Sequence, residues 1–133
     1  MIKLSKKGNY ALKSVIYIAH NYPDLLTIKN ISEKLNISES LLRRIVAELE
    51  KGLILETVKG RFGGVKIKKD FEKISIFDIL VSVGEDMTIS SCTSGEKCEN
   101  QKTCLTSNIF SNLQRGLHSM LKMQTLDKII SKK

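Results

Sequence analysis

From Ser5 onward, Ala11, Leu12, Val15, Ile16 and Ala19 recur at helical spacing within KKGNYALKSVIYIAHNY, and Ser5 is a good N-cap for that helix. Pro23-Asp24 then breaks the chain. Thr27 opens a short helix over IKNISEKL, buried through Ile28, Ile31 and Leu35. After the turn NIS, Ser38 caps ESLLRRIVAELEK, whose Leu42, Ile45, Val46 and Leu49 form one apolar stripe. Gly52 is placed to end it as a C′ glycine. Two helices joined by a short turn, the second more basic at its start, predict a helix-turn-helix. LILETV and VKIKK read as strands, with KGRFGG between them as a glycine-rich hairpin tip. A hairpin in that place is the wing of a winged helix.

The second half reads differently. SIFDILVSVGED predicts a helix started by a capping box of Ser75 with Asp78 and stopped by Gly84. A long helix is expected from about Leu105 to Met123. Its Leu105, Ile109, Leu113, Leu117 and Met120 fall at intervals of four, four, four and three, and Phe110, Leu121 and Met123 broaden the stripe. A small winged helix needs little of this surface for its own core, so a partner helix is the expected cover, and a homodimer follows. TLDKIISKK predicts a final short helix. The fold class expected is mainly α with a small β-hairpin. It divides into a winged helix-turn-helix DNA-binding domain over 1–84, a cysteine-containing loop over 85–104, and a dimerisation helix with tail over 105–133.

Charge sharpens this picture. Residues 1–73 carry 15 Lys and Arg against 8 Asp and Glu, whereas residues 74–133 carry 7 against 6. A basic front half points to a polyanion, and to nucleic acid before membrane, because no basic amphipathic tail is present. The bland alternative is a solubilising surface. No apolar run approaches 18 residues and the N-terminus lacks a signal-peptide hydrophobic region, so a cytoplasmic protein is expected. With two histidines, no nucleophile–base motif and no Gly-Lys-Ser/Thr ending to GRFGG, an enzyme is not expected.

The first turn and a half of the second helix should face the major groove. Ser38, Ser40 and Arg44 are candidates for phosphate contacts, and Arg43 for a bidentate contact to guanine. The competing reading for both arginines is a solvated face, or pairing with Glu39, Glu48 or Glu50. In the wing, Lys59, Gly60 and Arg61 can lie along phosphates or enter a narrow minor groove.

All three cysteines, Cys92, Cys98 and Cys104, lie in SSCTSGEKCENQKTCL. On a helix, steps of six turn the side chain by about 240°, scattering the thiols. On a strand, neighbours would stand roughly 20 Å apart. A loop can converge them, and Gly95, Ser94, Asn100 and Thr103 suit one. An odd count argues against a secreted disulfide framework and leaves thiols for metal or redox chemistry. Lys97 and Lys102 beside them should favour the thiolate form, and zinc is less expected because its usual C-x₂₋₄-C pairs are missing.

The opening LSKKGNYALKSVIYIA, the ISEKLNIS helix-turn-helix, the KGRFGGVKI wing and C-x₅-C-x₅-C before a long helix together resemble the IscR/NsrR family of bacterial transcription regulators, over nearly the whole chain. The resemblance implies a homodimer on a palindromic double-stranded DNA operator. It further implies that Cys92, Cys98 and Cys104 hold an iron–sulfur cluster, 2Fe–2S in preference to 4Fe–4S, sensing iron–sulfur status, oxidants or nitric oxide. Relatives that regulate cluster assembly carry a histidine three residues after the last cysteine, where this chain has Ser107. Relatives that sense nitric oxide take an acidic residue from near the partner's N-terminus, where this chain has Gly8-Asn9. His118 stands fourteen residues beyond Cys104, about 21 Å along a straight helix. Glu96, Glu99, Ser107, Asn9 of the partner subunit or an exogenous thiol remain as fourth ligand. LLRR replaces the relatives' Tyr-Leu-Glu-Gln stretch, and Phe62 stands where they often have a third wing glycine. The rivals are a cluster-free thiol switch and a module that responds through a partner enzyme.

Overall fold

The structure is a computed structural model that describes residues 4–68, 70–87 and 107–131. Helices α1 (Lys6–His20), α2 (Ile28–Leu35) and α3 (Glu39–Lys51) are followed by strands β1 (Leu55–Val58) and β2 (Gly64–Ile67). A 3₁₀ turn (Phe71–Lys73) leads to α4 (Ile76–Ser82), and α5 (Ser107–Met123) and α6 (Leu126–Ser131) complete the order. The helices of the front half begin at the caps the sequence supplies. The hydroxyls of Ser5, Thr27 and Ser38 accept from the N–H groups of Gly8, Asn30 and Leu41. At α4, Ser75 accepts from Asp78 N–H at 3.2 Å and Asp78 accepts from Ser75 N–H at 3.1 Å, closing the capping box.

One core serves these elements. Ala11, Val15 and Ile18 of α1 meet Ile31 of α2, Leu42, Ile45 and Leu49 of α3, Leu55 of β1 and Ile79 of α4, all essentially without solvent contact. The hairpin is antiparallel, with Leu55 opposite Ile67 and Val58 opposite Gly64. Both strands are shorter than LILETV and VKIKK suggest. Leu53 and Ile54 are taken up by the end of α3, and Lys69 lies outside the described residues. Leu26 adds a one-residue bridge, exchanging hydrogen bonds with Val65 at 3.1 and 2.8 Å.

The end of α3 corrects one expectation. Gly52 is the C-cap at φ −77°, and the left-handed C′ position is Leu53 at φ 63°. Ile54 N–H bonds to Leu49 C=O and Leu53 N–H to Glu50 C=O, each at 3.0 Å, which is a complete Schellman motif. Glycine is needed at 52 for a different reason: a Cβ there would overlap the Ser82 hydroxyl where α4 crosses the end of α3. Gly84, by contrast, ends α4 at φ 73° as a C′ glycine.

The C-terminal segment returns to this core. Leu126 is buried among its residues, and Leu126 N–H bonds to Ile74 C=O at 2.8 Å while Ile76 N–H bonds to Gln124 C=O at 2.9 Å. These bonds join α6 to the start of α4, so one core spans the boundary expected near residue 105. Asp127, in the first turn of α6, is held below the usual carboxylate range chiefly by the Thr125 hydroxyl.

Gly52→Ala is expected to lower the free energy of unfolding by about 1–3 kcal/mol in urea titration, through overlap with Ser82. At position 53, glycine should be more stable than alanine by about 1 kcal/mol, since both remove the leucine side chain and only alanine keeps the left-handed strain. The reverse order would refute the Schellman assignment. Leu126→Ala should cost about 2–5 kcal/mol, as a core position does; a loss near zero would detach α6 from the core.

Candidate nucleic-acid interface and the cysteine segment

The turn between α2 and α3 is held by local bonds. Asn36 adopts a left-handed φ of 55°, which asparagine tolerates, and Ile37 N–H returns to Ser32 C=O at 3.1 Å. Ile37 is buried and so fixes the start of α3 against the core. Ser38, Ser40, Arg43 and Arg44 are all exposed there. Ser38 spends an acceptor lone pair on Leu41 N–H at 3.4 Å, which leaves its O–H able to donate to a phosphate. Arg43 reaches Glu39 at 3.5 Å across one helical turn, the pairing that competes with a base contact. Such an exposed pair is worth about 0.3–0.5 kcal/mol, too little to hold Arg43 from a better acceptor.

Lys59, Gly60 and Arg61 are exposed at the hairpin tip. Gly63 N–H bonds to Gly60 C=O at 3.1 Å, making a β-turn with Arg61 and Phe62 at its centre. Gly60 takes φ 113°, and a Cβ on Gly63 would strike the Val58 carbonyl. The two glycines therefore permit the tight apex from which Arg61 and Phe62 project.

Cys92, Cys98 and Cys104 lie outside the described residues, as do Glu96, Lys97, Glu99, Lys102 and Leu105. Among the described residues no group of three His, Cys, Asp or Glu side chains is placed to hold a metal. His118 is committed elsewhere: its Nε2 is 2.6 Å from Gln114 Nε2, and its ring stands edge-on to Phe77 at 5.0 Å.

The stem leading into the cysteine segment is tied to both α1 and α5. Ser5 donates to both Glu85 carboxylate oxygens, from N–H and from Oγ, each at 2.7 Å. Two residues on, Met87 C=O accepts from Gln114 of α5 at 2.6 Å. On α1, Lys7 reaches Glu48 of α3 at 2.6 Å, with Glu48 Oε2 buried and unpartnered. The N-terminal turn of α1 thus touches both the stem and the helix that carries Arg43. Neither link was legible in the sequence, since each joins residues 41 or 80 positions apart.

Helix α5 divides the apolar stripe read from its spacing. Ile109, Leu113 and Met120 are 56, 52 and 67% exposed. Leu117 instead turns inward, lining with Leu121, Leu12, Ile76 and Leu80 a cavity of about 240 Å³. The 100° step of the helix places Leu117 and Leu121 roughly 60–100° from Met120, enough to change faces. Gln114 and His118 extend this inner side toward α4.

No helix among the described residues is long and apolar enough to cross a membrane. The chain matches the Rrf2 family, described as iron-dependent transcriptional regulators, over residues 4–132. It is 32% identical to a helix-turn-helix-type transcriptional regulator of Haemophilus influenzae, over 99% of this chain and 89% of the relative. It is 28% identical to the transcriptional regulator IscR of Yersinia pseudotuberculosis, over 98% of this chain and 80% of that one. Its fold matches the structure of CymR, the global cysteine regulator of B. subtilis, with a TM-score of 0.80 at 21% identity, covering 100% and 99% of the two chains. These relatives are named as regulators rather than enzymes. With its helix-turn-helix, its hairpin wing and a match that spans nearly every residue, this chain belongs to the Rrf2 family of winged-helix transcriptional regulators.

Proposed function

We propose that this chain is a homodimeric cytoplasmic regulator, a repressor or dual regulator, that binds a palindromic double-stranded DNA operator under control of an iron–sulfur cluster held by Cys92, Cys98 and Cys104. The observation that carries this reading is the confinement of all three thiols to one thirteen-residue window. That window follows a stem tied to α1 through Glu85 and to α5 through Met87. Three soft donors gathered in one window suit a thiolate-held cluster. When bound, the cluster would supply a centre that oxidants or nitric oxide can alter.

The chain's own residues do the rest. Ser38, Ser40 and Arg44 are positioned to hold phosphates, and Arg43 exchanges its weak tie to Glu39 for a guanine edge. Lys59, Gly60 and Arg61 follow the adjacent groove. Ile109, Leu113 and Met120 form the exposed part of a face that a second copy would cover; Leu105, the first position of the stripe read from the sequence, lies outside the described residues. Leu117 contributes from beneath, by holding α5 on its own domain.

A cluster-free thiol switch is the second reading. It is favoured by Ser107 at the place of the relatives' histidine and by the engagement of His118 with Phe77 and Gln114.

Anaerobic purification should give coloured protein containing iron and sulfide, with both lost in Cys92→Ala. Protein that stays colourless and iron-free after reconstitution would remove the cluster and leave the thiol switch. Cluster-loaded and apo forms should differ in operator affinity at one salt concentration, because a ligand without differential affinity shifts nothing. Arg43→Ala should cost about 1–3 kcal/mol in operator binding and relax preference at one base position. An unchanged binding profile would take Arg43 out of the interface.

A further inference from the structure

At 87% exposure, Phe62 is the most exposed large apolar side chain of the described residues, ahead of Met120 at 67%. It lies at the apex of the hairpin, away from the core against which Tyr10, Tyr17 and Phe71 pack. An aromatic ring in that place contributes almost nothing to folding, yet the turn beneath it is closely specified. Gly60 permits the positive φ and Gly63 the close approach to the Val58 carbonyl that the turn requires, and the bond from Gly63 N–H to Gly60 C=O sets Arg61 and Phe62 side by side at the tip. The Arg61 guanidinium stands 5.8 Å from the centre of the Phe62 ring, within cation–π range. Lys59 completes the cationic flank.

A narrow ribbon ending in a cation and a ring suits a polyanion that has an apolar interior within reach. The minor groove of a duplex offers both: phosphates and a negative floor for arginine, and base steps that an apolar side chain can pry apart. At about 6 Å wide, the groove admits a hairpin tip where it would exclude a helix.

We infer that Phe62 is a minor-groove wedge, inserted at a flexible base step beside the half-site faced by α3, and that it gives the protein a preference for deformable sequence at a position where no hydrogen bond reads the base. This rests on the DNA-binding reading of the wing. Pyrimidine–purine steps unstack most readily, so TA or CA is the preferred step under the tip and AA the disfavoured one. Arg61 anchors the phosphate side while the ring enters. The step chosen is therefore selected by its stacking energy rather than by its hydrogen-bonding edge.

The test uses the full chain and duplexes selected by the wild type from a random library, at one salt concentration. The wild type should enrich a pyrimidine–purine step at a fixed distance outside each half-site. A 2-aminopurine placed at that step should brighten on binding. Phe62→Ala should lose about tenfold in affinity for the selected duplex, abolish the brightening, and bind TA and AA versions equally. Phe62→Leu should retain part of the preference, since leucine also serves as a wedge. An unchanged melting temperature for Phe62→Ala will show that the fold is intact. Three results would overturn the wedge while leaving the wing on DNA: an unaltered affinity in Phe62→Ala, a loss equal for TA and AA, or brightening that persists without the ring. Failure of the wild type to select any duplex would overturn the DNA reading itself, and a lipid or protein partner would then claim the exposed ring.

Discussion

Ala11, Val15, Ile18 and Ala19 form a seam on α1 against which α2, α3, α4, α6 and β2 all close, and the nearness of those elements depends on how small that seam is. Two alanines let neighbouring backbones approach, while Val15 and Ile18 fill the spaces between them; each such aliphatic is worth about 1.5–3 kcal/mol when removed from water. Ser14 lies in the same face without solvent contact, and its hydroxyl avoids an unmet bond by donating to Tyr10 C=O at 2.7 Å. The exposed basic positions of α3 and of the hairpin are carried by elements that rest on this helix rather than on one another alone.

The same helix begins in a cluster of polar ties. Ser5 caps α1 with one lone pair and donates its proton to Glu85, so one hydroxyl both starts the helix and holds the stem of the cysteine segment. Lys7 holds Glu48, but this link is partly exposed, at 30 and 33% of its two side chains, and leaves one carboxylate oxygen buried without a donor. Its net strength is therefore small.

Local chemistry was the legible part of this chain. Ser5, Thr27, Ser38 and Ser75 each announce a helix start through side chains that bond within three residues, and all four do so in the structure. Periodicity likewise found the buried stripe of α3 and the short last helix. What escaped depends on partners far along the chain. The role of Gly52 is set by Ser82, the burial of Leu126 by Ile74, and the division of the α5 stripe by Leu12, Ile76 and Leu80. Spacing alone gave Leu117 the same role as Leu113, since a helix broad in apolar residues does not reveal which part faces home. For the proposed DNA contacts, the sequence supplied the basic positions and offered Glu39, Glu48 or Glu50 as competing partners, and the structure pairs Arg43 with Glu39.

The Leu26 bridge bears on how such a domain meets a duplex. By bonding to Val65 in both directions, Leu26 fastens the base of the hairpin to the segment entering α2, and the Schellman turn fastens its other strand to α3. Helix and hairpin are thus mounted on one rigid body without a free hinge between them. The separation between the two projecting parts is a ruler made at folding, before any duplex arrives. Once one part is seated, the other is already at high effective concentration over its own site, and little orientational freedom is left to lose. On the DNA-binding reading proposed above, a duplex whose groove spacing departed from that ruler would have to bend to be accepted, so mechanical compliance would count beside sequence.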